Sequence, residues 1–405
     1  MLGAWKRACP LRSEITRGCL LIQRAFATSG CFLLDMKPWD AVERSRTSRR
    51  KGAGGHTWSL SGFSPKAFIT PNQRRQIMKI GKRFGWISAV VMFLFWTVSF
   101  AVAGTQVNIA AVTNPDFVHV KAANWFGEEL NKLVPGKYDV VTHHSGALGS
   151  ETQVLQQIQL GTTQMSVCTT GPVEAFVPEI KALEMPFVFP SYEAADKVLD
   201  GPIGKELAKK FEKAGFVALH FLDNGFRNLT NSKRPVKTPE DAKGLKIRTM
   251  ESPTHLAIWR AIGANPTPMA WPIFTALQQG VIDGQENPIA VIYAAKLIEA
   301  GQKYLTLTRH VYSALVVVAN KTFIDGLPEG DRKAFFDAAR AASLRGRAFI
   351  RDNEASQLEQ LKTAGMLVED KPDLQAFRKV TAPVIDGTSG EVKKLVQEIR
   401  QVVGQ

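Results

Sequence analysis

From Gln106 onward the chain alternates short apolar runs with amphipathic ones, and this alternation constrains its fold more than any other feature. Val107–Val112 reads as a strand ending in the polar turn Thr113–Asp116. Val118–Leu133 follows, with Val120, Ala123, Phe126 and Leu130 near helical spacing. Tyr138–His143 reads as a second strand, Gln153–Leu160 as a short helix closed by Gly161, and Gln164–Cys168 as a third strand. A helix is expected over Tyr192–Ala214, with strands over Phe216–Leu222 and Asn228–Asn231. Thr238-Pro239-Glu240-Asp241 is a helix start, with a Thr cap, Pro at the first position and acids in the first turn. A strand over Leu245–Arg248, helices over Ser252–Ile262 and Trp271–Gln279, a β-rich run over Val311–Ala319 and a long amphipathic helix from Glu329 to about Ala364 complete the body. This order predicts βαβ units and a largely parallel sheet. Ligands bind such sheets at loops leaving the carboxyl ends of strands. That rule singles out Thr113, residues 145–151, residues 169–171, Arg227, Arg248 and the surroundings of Asn287, a scatter that suits a site assembled between two lobes.

Charge is unevenly spread. The chain carries 51 Lys and Arg against 37 Asp and Glu, a formal net charge of +14. Residues 1–103 hold 17 of the basic and 4 of the acidic residues, leaving 34 against 33 in the remainder. The body is close to neutral, which argues against a nucleic-acid partner. Within the leader, Met78 begins a secretory pattern. Lys79, Lys82 and Arg83 precede the apolar core Trp86–Phe100, and Ala101-Val102-Ala103 supplies small residues at cleavage spacing. That core of 15 residues falls short of the roughly 20 that span a bilayer. Residues 78–103 are therefore expected to be a signal peptide cleaved after Ala103. Residues 1–77, rich in Arg, Ser and Gly, show no sustained period; Met78 is the expected initiator and 1–77 an upstream extension or disordered leader. Three cysteines lie in this leader and only Cys168 in the body, within an apolar run where a buried thiol is expected.

Catalytic signatures are thin. There is no G-x-S-x-G elbow and no Walker loop, and His143-His144 on a strand would point to opposite faces. His119, His220, His255 and His310 each stand alone and read as structural or surface residues. Asp283-Gly-Gln-Glu-Asn287 reads either as a capped turn, with Gly284 at positive φ, or as a polar loop aimed at a cleft. Arg248 and Arg227 are each either a salt-bridged or surface arginine or a carboxylate clamp, since a guanidinium matches a carboxylate with paired donors. Trp271 is either an apolar wall or core.

Several spaced motifs carry a resemblance. Gly244-Leu-Lys-Ile-Arg248, Gly263–Trp271 and Thr275–Pro288 occur in order, with Ser145–Gly149, Pro186-Phe187 and Gly225–Asn231. The stretch 106–400 thereby resembles the solute-binding proteins of TRAP transporters, of the C4-dicarboxylate-receptor (DctP) type. The resemblance implies a two-lobed α/β periplasmic-binding-protein fold with hinge strands and a long helix spanning both lobes. It places 104–225 plus about 313–350 in the first lobe, and 226–312 plus about 351–405 in the second lobe and C-terminal helices. It implies that Arg248 clamps a ligand carboxylate, that Arg227 and Asn287 contact the same group, and that Trp271 lines the pocket. Glu151, Thr169 and Thr113 would meet the variable part of the ligand. Phe335, Phe336, Ala339, Leu344, Ala348, Phe349 and Leu358 of the long helix would face the lobes. The expected function is that of a periplasmic receptor, not an enzyme. It would be monomeric and without cofactor or metal, and would hand an organic acid to membrane permease subunits driven by an ion gradient. A ligand-sensing module for a membrane receptor, and a periplasmic hydrolase or lyase, are the alternatives.

Overall fold

A computed structural model of the chain describes residues 104–405 and, before them, Asn72 alone. The signal peptide expected over 78–103 and the leader over 1–77 lie outside the described residues.

Nine strands form one sheet: β1 (Thr105–Ala110), β2 (Tyr138–His143), β3 (Met165–Thr169), β4 (Phe216–Asn231), β5 (Lys246–Thr249), β6 (Asn265–Pro268), β7 (Gly284–Pro288), β8 (Tyr304–Asn320) and β9 (Leu367–Glu369). Their order is β2-β1-β3-β8-β4-β7-β5-β6, with β9 beside β8. The flanks are parallel as expected, β1 with β2 and β3, and β5 with β6 and β7. The middle is not. β8 runs antiparallel to β3 and β4, and β4 antiparallel to β7, so two long central strands replace the largely parallel sheet that local alternation predicts.

β4 is one strand where two were expected. Asp223-Asn224-Gly225 breaks the apolar pattern, yet the strand runs through it, with a register irregularity between 223 and 225 and Gly225 at φ 121°. Asp223 can be buried there because it is bonded, accepting from the Tyr312 hydroxyl at 2.6 Å and from Arg351 Nε at 2.7 Å. The helix expected over Tyr192–Ala214 is two, Tyr192–Leu199 and Pro202–Lys213, because Pro202 cannot donate to a preceding turn and starts a new helix.

Strand alternation divides the core. On β8, Ala314, Val316 and Val318 face a cluster with Leu155, Phe211 and Phe216, while Leu315, Val317 and Ala319 face another with Ile109, Phe126 and Phe335. Farther along the same strands, Ile247, Ile258, Trp259 and Phe377 form a third cluster and Ile273, Ile292, Leu305 and Leu361 a fourth. Of the C-terminal residues grouped with the second lobe, Leu374–Asp386 carries Phe377 into the third cluster. Gly390–Val403 instead buries Leu395, Val396 and Ile399 in the first.

The long helix is present as Glu329–Thr363. Phe335 and Ala339 are buried in it as expected, but Phe336, Leu344 and Ala348 are exposed. Its inward face is mostly small (Ala334, Ala338, Ala342, Gly346), which lets it lie close on the sheet; a Cβ at Gly346 would stand 2.7 Å from Leu222 Cδ1. Arg347 pairs with Asp200 and donates to the Phe221 carbonyl, and Arg351 pairs with Asp196 and Asp223, fixing the helix along β4.

Candidate functional site

Strand ends and the loops that leave them surround one small cavity of about 30 Å³. After β1 the chain turns through Thr113, whose carbonyl accepts from Ser145 N at 2.7 Å, tying this loop to the one after β2. Phe117 and His119 follow at the start of the helix Val118–Leu133. Ser150 caps the helix Glu151–Leu160 reciprocally with Gln153. That cap sets Glu151 at the first helical position, and its carboxylate reaches β3, accepting from Thr169 N at 2.7 Å and Thr169 Oγ1 at 2.5 Å. Across the cavity, β5 presents Arg248, β7 presents Asn287, and the loop beyond β6 presents Trp271. Thr113, Glu151, Thr169, Arg248, Trp271 and Asn287 thus share one wall-to-wall space.

Arg227 does not line it. Its Nε donates to Glu286 Oε2 at 2.5 Å and its Nη2 to Glu286 Oε1 at 2.8 Å, with Nη1 at 3.4 Å from Ser313 Oγ, and both charged side chains are fully buried. The Asp283–Asn287 cluster is neither of the two things expected. Residues 284–288 are the central strand β7, and Gly284 has no positive φ; its small size admits the close approach of β4 at the Thr230 carbonyl. Strand alternation then sends Glu286 to Arg227 and Asn287 to the cavity.

Arg248 is differently placed. It is 4% exposed, and its Nε donates to the Met269 carbonyl at 2.7 Å. Among the described residues no carboxylate lies within ion-pair distance and none accepts from its two terminal nitrogens; the Trp271 ring stands 5.9 Å away. Burial, and then the neighbouring Arg227, lower its pKa to about 10, so the group stays cationic at neutral pH. Glu286, Glu151 and Glu251 act on it only from beyond pairing distance, and a buried cation without a direct partner is costly. Glu151 is pushed upward by burial, partly offset by its Thr169 bonds and Arg248.

Six lining residues escaped the sequence: Val112, Phe117, His119, Asn224, Met250 and Val291. Phe117 packs edge-on against Trp271 at 5.6 Å and against His119 at 6.4 Å. His119 lies six residues after Thr113, in the first turn of the helix that follows β1, which was the available signal. A larger groove of about 500 Å³ adjoins, sharing Phe117 and Val291 with the cavity and bounded by Lys121, Tyr293 and the long helix near Gln357.

Residues 109–391 match the family described as bacterial extracellular solute-binding protein, family 7 (DctP). The chain belongs to that family. A solute-binding protein of Verminephrobacter eiseniae is 45% identical over 285 residues, covering 70% of this chain and 85% of that one. The 2,3-diketo-L-gulonate-binding periplasmic protein YiaO of Escherichia coli is 36% identical, over 65% of this chain and 80% of that one. Among solved structures, a TRAP periplasmic solute-binding protein of Polaromonas sp. JS666 bound to D-erythronate superposes with a TM-score of 0.71 at 41% identity, covering 73% of this chain and 98% of that one. This DctP-type chain therefore has the two-lobed fold of the TRAP receptors, whose matched members are named for binding rather than for catalysis. The DctP family is periplasmic, and among the described residues no helix is long and apolar enough to cross a membrane.

Proposed function

We propose that this chain is the receptor component of a TRAP transporter, that it holds a small organic acid in the cavity between its lobes, and that Arg248 is the carboxylate anchor. One observation carries this reading: Arg248 lines the cavity as a buried guanidinium, and its two terminal nitrogens have no hydrogen-bond partner among the described residues. A carboxylate supplies the missing charge and accepts both nitrogens at once. Asn287 and Trp271 line the same cavity, the Trp271 ring 5.9 Å from the guanidinium, and Arg227, spent on Glu286, adds positive field. Glu151, Thr169 and Thr113 line it from the chain that follows β1 and β2 and the end of β3. The relatives' ligands, erythronate and diketogulonate, are both acids, which supports the same chemistry.

Binding rather than turnover fits a cavity whose single lining carboxylate, Glu151, is already held by Thr169. The acid would pass to membrane permease subunits. Export through residues 78–103, a monomeric state and lobe boundaries near 225, 312 and 350 belong to the same proposal. Calorimetry with acids found by a thermal-shift screen tests the anchor. Arg248→Ala should weaken binding by at least about 30-fold, because stripping a partner from a desolvated charge pair costs about 2–5 kcal/mol. Arg248→Lys should also bind worse, since an ammonium lacks the fork. Parental affinity in Arg248→Ala would remove the assignment.

A further inference from the structure

Three polar atoms beside the cavity have no partner among the described residues: Thr113 Oγ1, His119 Nδ1 and Asn224 Oδ1. Their residues are 5%, 3% and 1% exposed. Buried polar atoms in native proteins are nearly always hydrogen-bonded, so three orphans around one cavity are a concentration that packing alone does not explain. Each is also held in place by its other contacts. Asn224 Nδ2 is engaged by Ser313 Oγ at 3.3 Å, which leaves the carbonyl end free. The Thr113 main chain is tied to Ser145, which leaves the hydroxyl free. His119 is fixed edge-on to Phe117.

What would satisfy them follows from their chemistry. The Asn224 oxygen only accepts. Burial, with Arg227 adding to it, lowers His119 to about 3, so the imidazole is neutral and offers one acceptor and one donor. Thr113 can do either. Hydroxyl groups, which donate and accept, fit this set. A second carboxylate only accepts, and it would face the Asn224 oxygen and the Glu151 carboxylate.

We propose that Thr113, His119 and Asn224 are specificity-determining residues that read hydroxyl groups on the ligand, so that the cavity selects a hydroxylated monocarboxylate over an unsubstituted acid or a dicarboxylate. This rests on the reading of Arg248 as the carboxylate anchor. Calorimetry with D-erythronate, butanoate and succinate, three acids of equal carbon number, tests both. Erythronate should bind at least about 100-fold more tightly than either of the others, as sites built to bond a hydroxyl reject analogues lacking it. Thr113→Val and His119→Phe should shrink the erythronate-to-butanoate ratio by at least about tenfold, mainly by weakening erythronate, while Arg248→Ala weakens every acid that binds. Melting temperatures without ligand check folding, and the near-isosteric Thr113→Val carries the test should His119→Phe not fold. Butanoate or succinate binding as tightly as erythronate, or a ratio unchanged in the folded variants, overturns the inference. If none of the three acids binds, or Arg248→Ala binds them unchanged, it is the anchor reading that falls, and the inference with it.

Discussion

The Glu286 carboxylate accepts twice from Arg227, and from His255 at 3.3 Å and His310 at 3.1 Å, while His255 reaches Glu184 at 2.8 Å with its other nitrogen. Burial alone would raise Glu286 and lower His255. Arg227 and His255 instead hold Glu286 well below the usual carboxylate range, and Glu286 with Glu184 lifts His255 to about 9. The sign of the pH dependence follows. A pKa raised on folding contributes stability that is complete below about 6.5 and is lost as pH climbs toward 9. Thermal melts from pH 6.5 to 9 should therefore show a decline worth up to about 3 kcal/mol, and His255→Gln should flatten it. An undiminished alkaline decline in His255→Gln would assign it to another group. No member of this network was legible as such, because the pairs join residues 24 to 71 positions apart that only the folded chain brings together. Arg248 was legible as a choice between two readings, since a strand-end arginine after the Gly244 turn overhangs a cleft or a salt bridge alike. Absence of a partner among the described residues, which supports the proposed clamp, is a property of the fold.

At the scale of elements, local pattern foresaw most helices and the flanking strands, and failed where tertiary pairing overrides it. β7 is the clearest case. Five residues of mixed polarity look like a turn, but they are buried between β4 and β5, and polar side chains are tolerated there because each has a partner: Gln285 with Thr230, Glu286 with Arg227. Long-range strands of this kind carry no period to read. The same strand supplies both the brace for Arg227 and the Asn287 edge of the cavity, so its seating matters to both. Gly284→Ala would drive a methyl group into the Thr230 carbonyl and push β7 off β4. Overpacking of this sort costs about 1–3 kcal/mol or more against backbone. A melting temperature lower by several degrees, with weaker acid binding in the protein that remains folded, is the expected result. An unchanged melt would show that β7 has room to shift.

On the scale of the molecule, the cavity and its ligand do not match in size. About 30 Å³ holds a single water, whereas an acid of four or more carbons needs several times that space. A ligand can enter only if the walls part, and the fold supplies the means. β4 and β8 run continuously through both halves, with register irregularities at 223/225 and 227/229 where a strand pair can flex. Opposite those hinge strands the two halves touch at the surface, where Thr152 Oγ1 donates to Glu251 Oε2 at 3.1 Å. Closure is then a population shift toward the form that the ligand bridges. Cysteines at 152 and 251 would be the accessible thiols of the described body, since Cys168 is fully buried. Joined by a disulfide or a short thiol-to-thiol linker in the absence of acid, they should abolish binding, and reduction or linker cleavage should restore it. Joined with acid present, they should retain it through dialysis that strips the unlinked protein. Equal uptake by the linked and unlinked forms would mean that the ligand enters without separation of the lobes, through the groove bounded by Phe117 and Val291.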